Sequence, residues 1–393
     1  MKQQTIDILH MRPLFRLLMA VTLGTLTVAF PSCLKQNNDI PPVLPPGSGS
    51  ISYNWPAIAD TAEKSLDYFW SASGKYYLSS NTSGDWAQYW PQAHALDVLV
   101  DAYLRKPSDA LKSQMNDLLT GVRAKNGNSF INYYYDDMEW MALACLRAYT
   151  ATNDARFKGV CDTLWGDIRN GWSDDLGGGI WWRKDNPSKN TPSNMPAAIL
   201  AARRYKAFGN IDDLHWAQRI YDWEKATLYD NTSGLVYDNI DKNGNKNTTW
   251  KFTYNQGTFL GAALELYKNT GNSQYLSDAL QAADFTLNSG FLTSGGILKD
   301  EGGGDGGLFK GIFVRYFTRL IVDVTFDGSK KTGYVNFLRT NGESLWSKGT
   351  NKSNLLFGSA WDKAPGSSTD LTIQLSGIML VEALAELKKG QMF

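Results

Sequence analysis

The connections between helical segments alternate in length, and this alternation limits the folds open to the chain more than any other feature. Apolar periodicity and capping residues predict twelve helices, at 54–71, 88–105, 108–124, 136–152, 155–170, 193–209, 211–228, 254–270, 272–290, 307–325, 330–347 and 369–388, with almost no strand signal. Pro107-Ser108, Asn153-Asp154 and Pro192-Ser193 supply helix starts. The connections that follow even-numbered helices are short: Lys106-Pro107, Asn153-Asp154, Gly209-Asn210, Gly271 and the turn at Asp327-Gly328. The connections that precede them are long and rich in glycine, tryptophan and asparagine, covering about 72–87, 125–135, 171–192, 229–253, 291–306 and 348–368. Even helices are also the more apolar, as in Ala197 to Ala202, Phe259 to Leu266 and Ile378 to Leu387, whereas odd ones carry charge, as in Lys112, Asp117 and Arg123. A buried helix paired with an exposed one, repeated six times, predicts an all-α (α/α)6 toroid of six parallel inner and six antiparallel outer helices. The long loops then gather at one mouth, where the inner helices begin, and loops of that length in a compact domain usually carry function. A solenoid-like binding surface without chemistry would leave the same pattern.

The second inner helix opens with Tyr133-Tyr134-Tyr135-Asp136-Asp137. From Met138 to Tyr149 it is apolar on nearly every side, the signature of a buried helix. Asp136 and Asp137 therefore fall on the floor of the mouth, at a helix N-terminus whose dipole favours negative charge. Two carboxylates this close cannot both ionise freely, so one apparent pKa must rise. A carboxylate beside a carboxylic acid is the equipment of glycoside hydrolysis. The same residues would also serve as a helix cap, and the doublets Asp174-Asp175 and Asp212-Asp213 show that such pairs are common here. Neighbours on a helix point roughly 100° apart. That leaves open both the retaining separation of about 5–5.5 Å and the inverting one of about 6.5–9.5 Å.

Other residues expected at the mouth come from the long loops. Trp86, Tyr89 and Trp90 offer flat apolar faces for sugar rings, as do Trp181 and Trp182 after the triple glycine at 177–179. Tyr135 adjoins the aspartates. His94 suits either a substrate hydrogen bond or a satisfied place in the core. Asn190 and Asn194 flank one inner-helix start, and Asn255 and Gln256 put amides at another. The segment Asp241 to Asn247 is similar to a calcium loop, but its glycine stands two places early and no late glutamate follows, so it reads as a turn. Asp305 lies in Glu301-Gly302-Gly303-Gly304-Asp305-Gly306-Gly307, which lacks the lysine and hydroxyl of a phosphate loop and so excludes that mode of nucleotide binding.

Formal charge balances at zero across 393 residues, so no polyanionic partner such as nucleic acid is indicated. Lys2, Arg12 and Arg16 precede an apolar run from Leu17 to Phe30, which suits an export signal and is short for a membrane span. Cys33 follows, then a proline-rich polar stretch through Ser50. This resembles a bacterial lipoprotein leader, although Phe30-Pro31-Ser32 departs from the usual residues before the lipidated cysteine. The expected division is a signal over 1–32, a tether over 33–50 carrying a lipid on Cys33, and one domain over 51–393. Cys145 and Cys161 read as buried thiols rather than a disulfide framework. His94 and His215 are too far apart in sequence to suggest a histidine metal site or a Ser-His-Asp triad, so no metal and no cofactor is expected.

Three stretches carry a family resemblance: Tyr89-Trp90-Pro91-Gln92-Ala93-His94-Ala95-Leu96-Asp97, Tyr134-Tyr135-Asp136-Asp137-Met138-Glu139-Trp140-Met141 and Phe252-Thr253-Tyr254-Asn255-Gln256-Gly257. They resemble glycoside hydrolase family 76, α-1,6-mannanases and related transglycosidases, and the likeness spans about residues 51–390. It implies an (α/α)6 catalytic domain that retains anomeric configuration, with Asp136 as nucleophile and Asp137 as acid/base. The implied substrate is α-1,6-linked mannan, cleaved internally by a monomeric, exported lipoprotein of the outer membrane, as in bacterial glycan foraging. The substrate-binding set expected with that pair is Trp86, Tyr89, Trp90, His94, Tyr135, Trp181, Trp182, Asn194, Asn255, Gln256 and Asp305. Two alternatives stand beside it. Another toroid enzyme, such as an unsaturated-uronyl hydrolase or a histidine-dependent epimerase, would share the fold. A non-catalytic glycan-binding lipoprotein would keep the aromatics but need neither aspartate.

Overall fold

Short connections demand local helix stops and starts, and this chain supplies them in tandem. Asn153, Gly209 and Gly271 end their helices in the left-handed conformation. The next residue, Asp154, Asn210 or Asn272, caps the following helix with its side chain. The computed structural model describes residues 52–393; the expected signal, tether and Cys33 lie outside the described residues. Its helices are α1 Trp55–Lys64, α2 Tyr89–Arg105, α3 Asp109–Lys125, α4 Tyr135–Thr152, α5 Ala155–Ile168 and α6 Met195–Phe208. They continue with α7 Ile211–Thr227, α8 Thr253–Thr270, α9 Ser273–Asn288, α10 Gly306–Asp323, α11 Gly328–Ser347 and α12 Leu371–Lys389.

The even helices form a closed ring: α2 packs on α4, then α6, α8, α10 and α12 follow in turn, and α12 returns to α2. The odd helices pack outside it, α3 on α2, α5 on α4, α7 on α6, α9 on α8, and α1 and α11 on α12. This is the (α/α)6 toroid that the alternation predicts. Backbones in the ring approach closely where small residues allow it. A Cβ on Gly257 of α8 would sit 2.5 Å from the Cα of Phe313 on α10, and one on Gly311 of α10 would sit 2.7 Å from the Cα of Ser376 on α12. Cys145 and Cys161 are free and buried, as expected.

Two segments depart from the predicted spans. The first helix stops at Lys64, tightens into a 3-10 turn over Ser65–Phe69 and enters strand β1, Trp70–Ser71, which pairs with β2, Tyr76–Tyr77. Backbone groups that a longer helix would have satisfied internally are satisfied across this hairpin instead. Pro192 and Ser193 lie in a 3-10 turn, and α6 begins only at Met195. Three further pairs stiffen the long loops: β3 Ser188–Asn190 with β4 Asn239–Asp241, β5 Thr293–Ser294 with β6 Ile297–Leu298, and β7 Thr350–Asn351 with β8 Leu356–Phe357.

The six long loops are laced to one another at one end of the ring. Tyr89 Oη donates to Phe130 O, Lys184 N to Tyr133 O, Thr191 N to Asp238 O, Thr253 N to Glu301, Gly304 N to Asp370, and Leu371 N to Ser79 O. The other end holds a cavity of about 410 Å³ lined by arginines. Arg147 and Arg315 pair there with Asp97 and Asp101, Arg203 with Glu265, and Arg105 with Glu382. Matched charge of this kind closes the barrel floor without leaving a group poised to react.

Candidate active site

Every outer helix is capped by its own N-cap side chain, and no inner helix is. Asn54, Ser108, Asp154, Asn210, Asn272 and Asp327 accept from the first turns of α1, α3, α5, α7, α9 and α11. The N-cap residues of α2, α4, α6, α8, α10 and α12 make no such bond. Six helix dipoles therefore point their positive ends at the mouth, a setting that favours an anionic side chain.

Asp136 and Asp137 occupy the first turn of α4, half-buried, with Tyr134 and not an aspartate at the N-cap. The helix-cap reading thus loses its main support. The two carboxyls have different surroundings. Asp136 accepts from the backbone N–H of Asp137 through Oδ1 and from the Trp182 indole through Oδ2, each at 3.0 Å. Burial lifts Asp136 to about 7 against the pull of these donors, and the Asp305 carboxylate adds to the rise. Asp137 has no side-chain hydrogen bond among the described residues, and burial followed by the charges of Asp136 and Asp305 pushes it well above the ordinary carboxylate range. The pair is therefore built to hold one proton, with the charge resting on Asp136. One turn lower, Glu139 is fully buried, and burial followed by the Asp136 charge raises it well above the ordinary carboxylate range.

Of the residues expected here, the structure brings Trp90, Trp182 and Asp305 to the aspartates. Trp90 Nε1 donates to Asp305 Oδ1 at 3.0 Å, tying α2 to the start of α10. Trp182 and Trp181 lie on extended backbone, where consecutive side chains face opposite ways. Trp182 turns to Asp136, whereas Trp181 is 6% exposed, donates to Ser173 Oγ and lies under the Lys189 ammonium. Trp181 thus belongs to the loop's own packing.

Several other expected ligands prove to be wall and core. Tyr89 is buried with its hydroxyl spent on Phe130 O. Tyr135 is buried, its N–H donated to Trp182 O. Asn194 is consumed by Ile180 and Asn190. Asn255 donates to Asp238 and Gln256 to Val236 O, both fully buried. Trp86 packs edge-on against Tyr76. His94 stands between Trp90 and Trp140, and burial lowers it to about 3, so it is a neutral core residue. Amides at a helix start look alike in sequence whether they face a loop or a ligand. Here the neighbouring loops take the N–H donors of Asn255 and Gln256, leaving their oxygens without a partner among the described residues. The Asp241 carboxylate is likewise spent on Asn243 N and Asn245 N, as a turn requires.

Sequence reasoning passed over Tyr134, Tyr254 and Phe309. Tyr134 packs on Trp182 with ring centres 5.4 Å apart. Tyr254 lies parallel to Phe309 at 3.9 Å and donates its hydroxyl to Asp238 at 3.0 Å. The signal was present, since Tyr134 and Tyr254 stand at or beside the first residues of inner helices.

With this geometry in place, comparison with known proteins gives a consistent result. Residues 56–391 match the family described as Glycosyl hydrolase family 76. An α-1,6-mannanase from Salegentibacter sp. HEL1_6 is 43% identical, with a TM-score of 0.83, over 85% of this chain and 100% of that one. An inactive variant of that enzyme, with two aspartates replaced by asparagine, is similar at a TM-score of 0.82, 43% identity and the same coverage, and holds α-1,6-mannotriose. Among curated relatives, a mannan endo-1,6-alpha-mannosidase of Candida glabrata is 39% identical over 109 residues, 25% of this chain and 24% of that protein. The alignment therefore spans about a quarter of that relative's length. The corresponding protein of Eremothecium gossypii is 25% identical over 275 residues, 65% of this chain and 57% of its own length.

Proposed function

The chain belongs to glycoside hydrolase family 76, and on that premise we propose that it cleaves α-1,6-mannosidic bonds within mannan backbones, retaining anomeric configuration. The observation that carries the reading is the unequal pair at the start of α4: one aspartate held by two donors, its neighbour held by none. Asp136, kept ionised by the Asp137 N–H and the Trp182 indole, attacks the anomeric carbon. Asp137, kept protonated by burial and by the two nearby carboxylates, gives its proton to the departing sugar oxygen. Formation of the glycosyl ester neutralises Asp136 while the proton given up leaves the negative charge on Asp137, so the net charge of the site is unchanged. Asp137, now ionised, takes a proton from water as that water attacks the same carbon, which frees Asp136 and restores the starting proton count.

Trp182 and Tyr134 supply apolar surface on one side of the pair, and Tyr254 with Phe309 supplies it on another, as a neutral sugar chain requires. Export and a lipid on Cys33 complete the reading; their support is the leader sequence alone. A single digest tests the activity. Linear α-1,6-mannan should give oligosaccharides of mixed length early in the reaction, whereas β-1,4-mannan and uronic-acid polymers should stay intact. Release of mannose alone would refute internal cleavage, and cleavage of β-mannan would refute the linkage.

A further inference from the structure

Trp250 is 52% exposed on the long loop before α8, and Phe291 nearby is 57% exposed. A large indole left in water contributes nothing to the core, and clustered exposed aromatics mark a binding surface. Hydrogen bonds fix the loop backbone that carries it. Asn247 Oδ1 accepts from both Thr249 N and Trp250 N, and Lys251 Nζ donates to Thr248 O while lying over the Phe291 ring.

From Trp250 a row of rings descends into the mouth. Its centre is 6.1 Å from Phe252, which is 5.1 Å from Phe309 and 5.9 Å from Tyr254. Tyr254 and Phe309, stacked at 3.9 Å, stand in the first turns of α8 and α10, and Asp305 is the N-cap residue of that same α10, so the foot of the row lies at the mouth of the ring. The row therefore leads outward from the mouth to the exposed Trp250.

We propose that Trp250, backed by Phe252, is a distal stacking subsite for a neutral polysaccharide chain, gripping sugars beyond those at the aspartates so that the enzyme favours polymer over short oligosaccharides. This rests on the mannanase reading above and adds a determinant of chain length to it. A pyranose offers an apolar face to an aromatic ring, and such a contact changes binding by about fivefold to tenfold.

The test compares kcat/KM on linear α-1,6-mannan with kcat/KM on a dinitrophenyl α-mannoside, which reports the aspartates alone. In Trp250→Ala the ratio of polymer to aryl substrate should fall about fivefold to tenfold through KM, and Trp250→Phe should recover most of it. An unchanged ratio, an equal loss on both substrates, or no recovery in Trp250→Phe would overturn the subsite. Wild-type protein that ignores α-1,6-mannan but cleaves another polymer, with the Trp250 effect carried over to that polymer, would remove the mannan reading and leave the subsite standing.

Discussion

Trp182→Phe isolates the bond that keeps Asp136 charged. The substitution keeps a ring against Tyr134 but deletes the indole N–H that lies 3.0 Å from Asp136 Oδ2. A hydrogen bond to a charged group is worth about 1.5–3 kcal/mol. Asp136 is only half-buried, so water replaces part of the loss. We therefore take a value just below that range, about 1.4 kcal/mol, which corresponds to about one pKa unit. The sign follows from which form the bond favours. The donor stabilises the carboxylate and lowers its pKa, so deleting it raises the pKa. Attack needs the carboxylate, so activity is lost at a higher pH than in the wild type. The acid limb of the kcat/KM profile, set near neutrality in the wild type by an Asp136 pushed up to about 7, should move up by about one unit. At a fixed pH on that limb the rate should fall about tenfold, while the plateau changes less. The assay is initial rates on a dinitrophenyl α-mannoside across pH, with a melting curve to show that the variant is folded. An acid limb that stays in place, or one that moves down, would refute the account of how Asp136 is kept ionised.

Further expectations follow from other parts of the molecule. Asp136→Ala should be inactive on every substrate, whereas Asp137→Ala should fail on mannan yet turn over a dinitrophenyl mannoside, faster with added azide; the reverse pattern would exchange their roles. Gly257→Ala would drive a Cβ to 2.5 Å from the Phe313 backbone, so the ring must open locally and stability should fall by about 2–3 kcal/mol in denaturant unfolding. Arg147→Met leaves Asp97 and Asp101 sharing Arg315 alone in the barrel floor and should cost less than the roughly 3–5 kcal/mol of a fully unpaired buried charge, with a smaller effect expected on the pH profile of catalysis than that of Trp182→Phe. Asp101, opposed by burial but held down to about 2 by Arg315 and Arg147, contributes stability that is complete above the ordinary carboxylate pKa of about 3.9 and is lost as pH falls toward about 2. Acid unfolding of wild type should therefore steepen in that window, and Asp101→Asn should flatten it.

The sequence by itself determined the toroid and the location of its mouth. The reason is that the information is local. Tandem stop-and-start pairs such as Gly209-Asn210 act through backbone conformation and a cap within two residues of each other, and the apolar character of α4, α8 and α12 is a property of each segment alone. Asp136 and Asp137 stood out for the same reason, as a charged doublet at the head of a buried helix, but the sequence left a helix cap open, and only the structure put Tyr134 at the N-cap. What surrounds them was decided only by tertiary structure. Trp181 and Trp182 are equivalent in sequence, and only the strand-like path of their loop turns one to Asp136 and the other to Ser173. Asn255 and Gln256 read as substrate ligands until loop 229–253 folds back and Asp238 and Val236 accept hydrogen bonds from their side-chain amides. Asp305 is remote in sequence from the pair, yet its charge raises both aspartates once the ring closes and Trp90 of α2 ties it at the mouth. Side-chain direction and through-space charge depend on atoms that are distant along the chain. They are fixed only when six long loops, individually without strong preference, are laced together at the mouth.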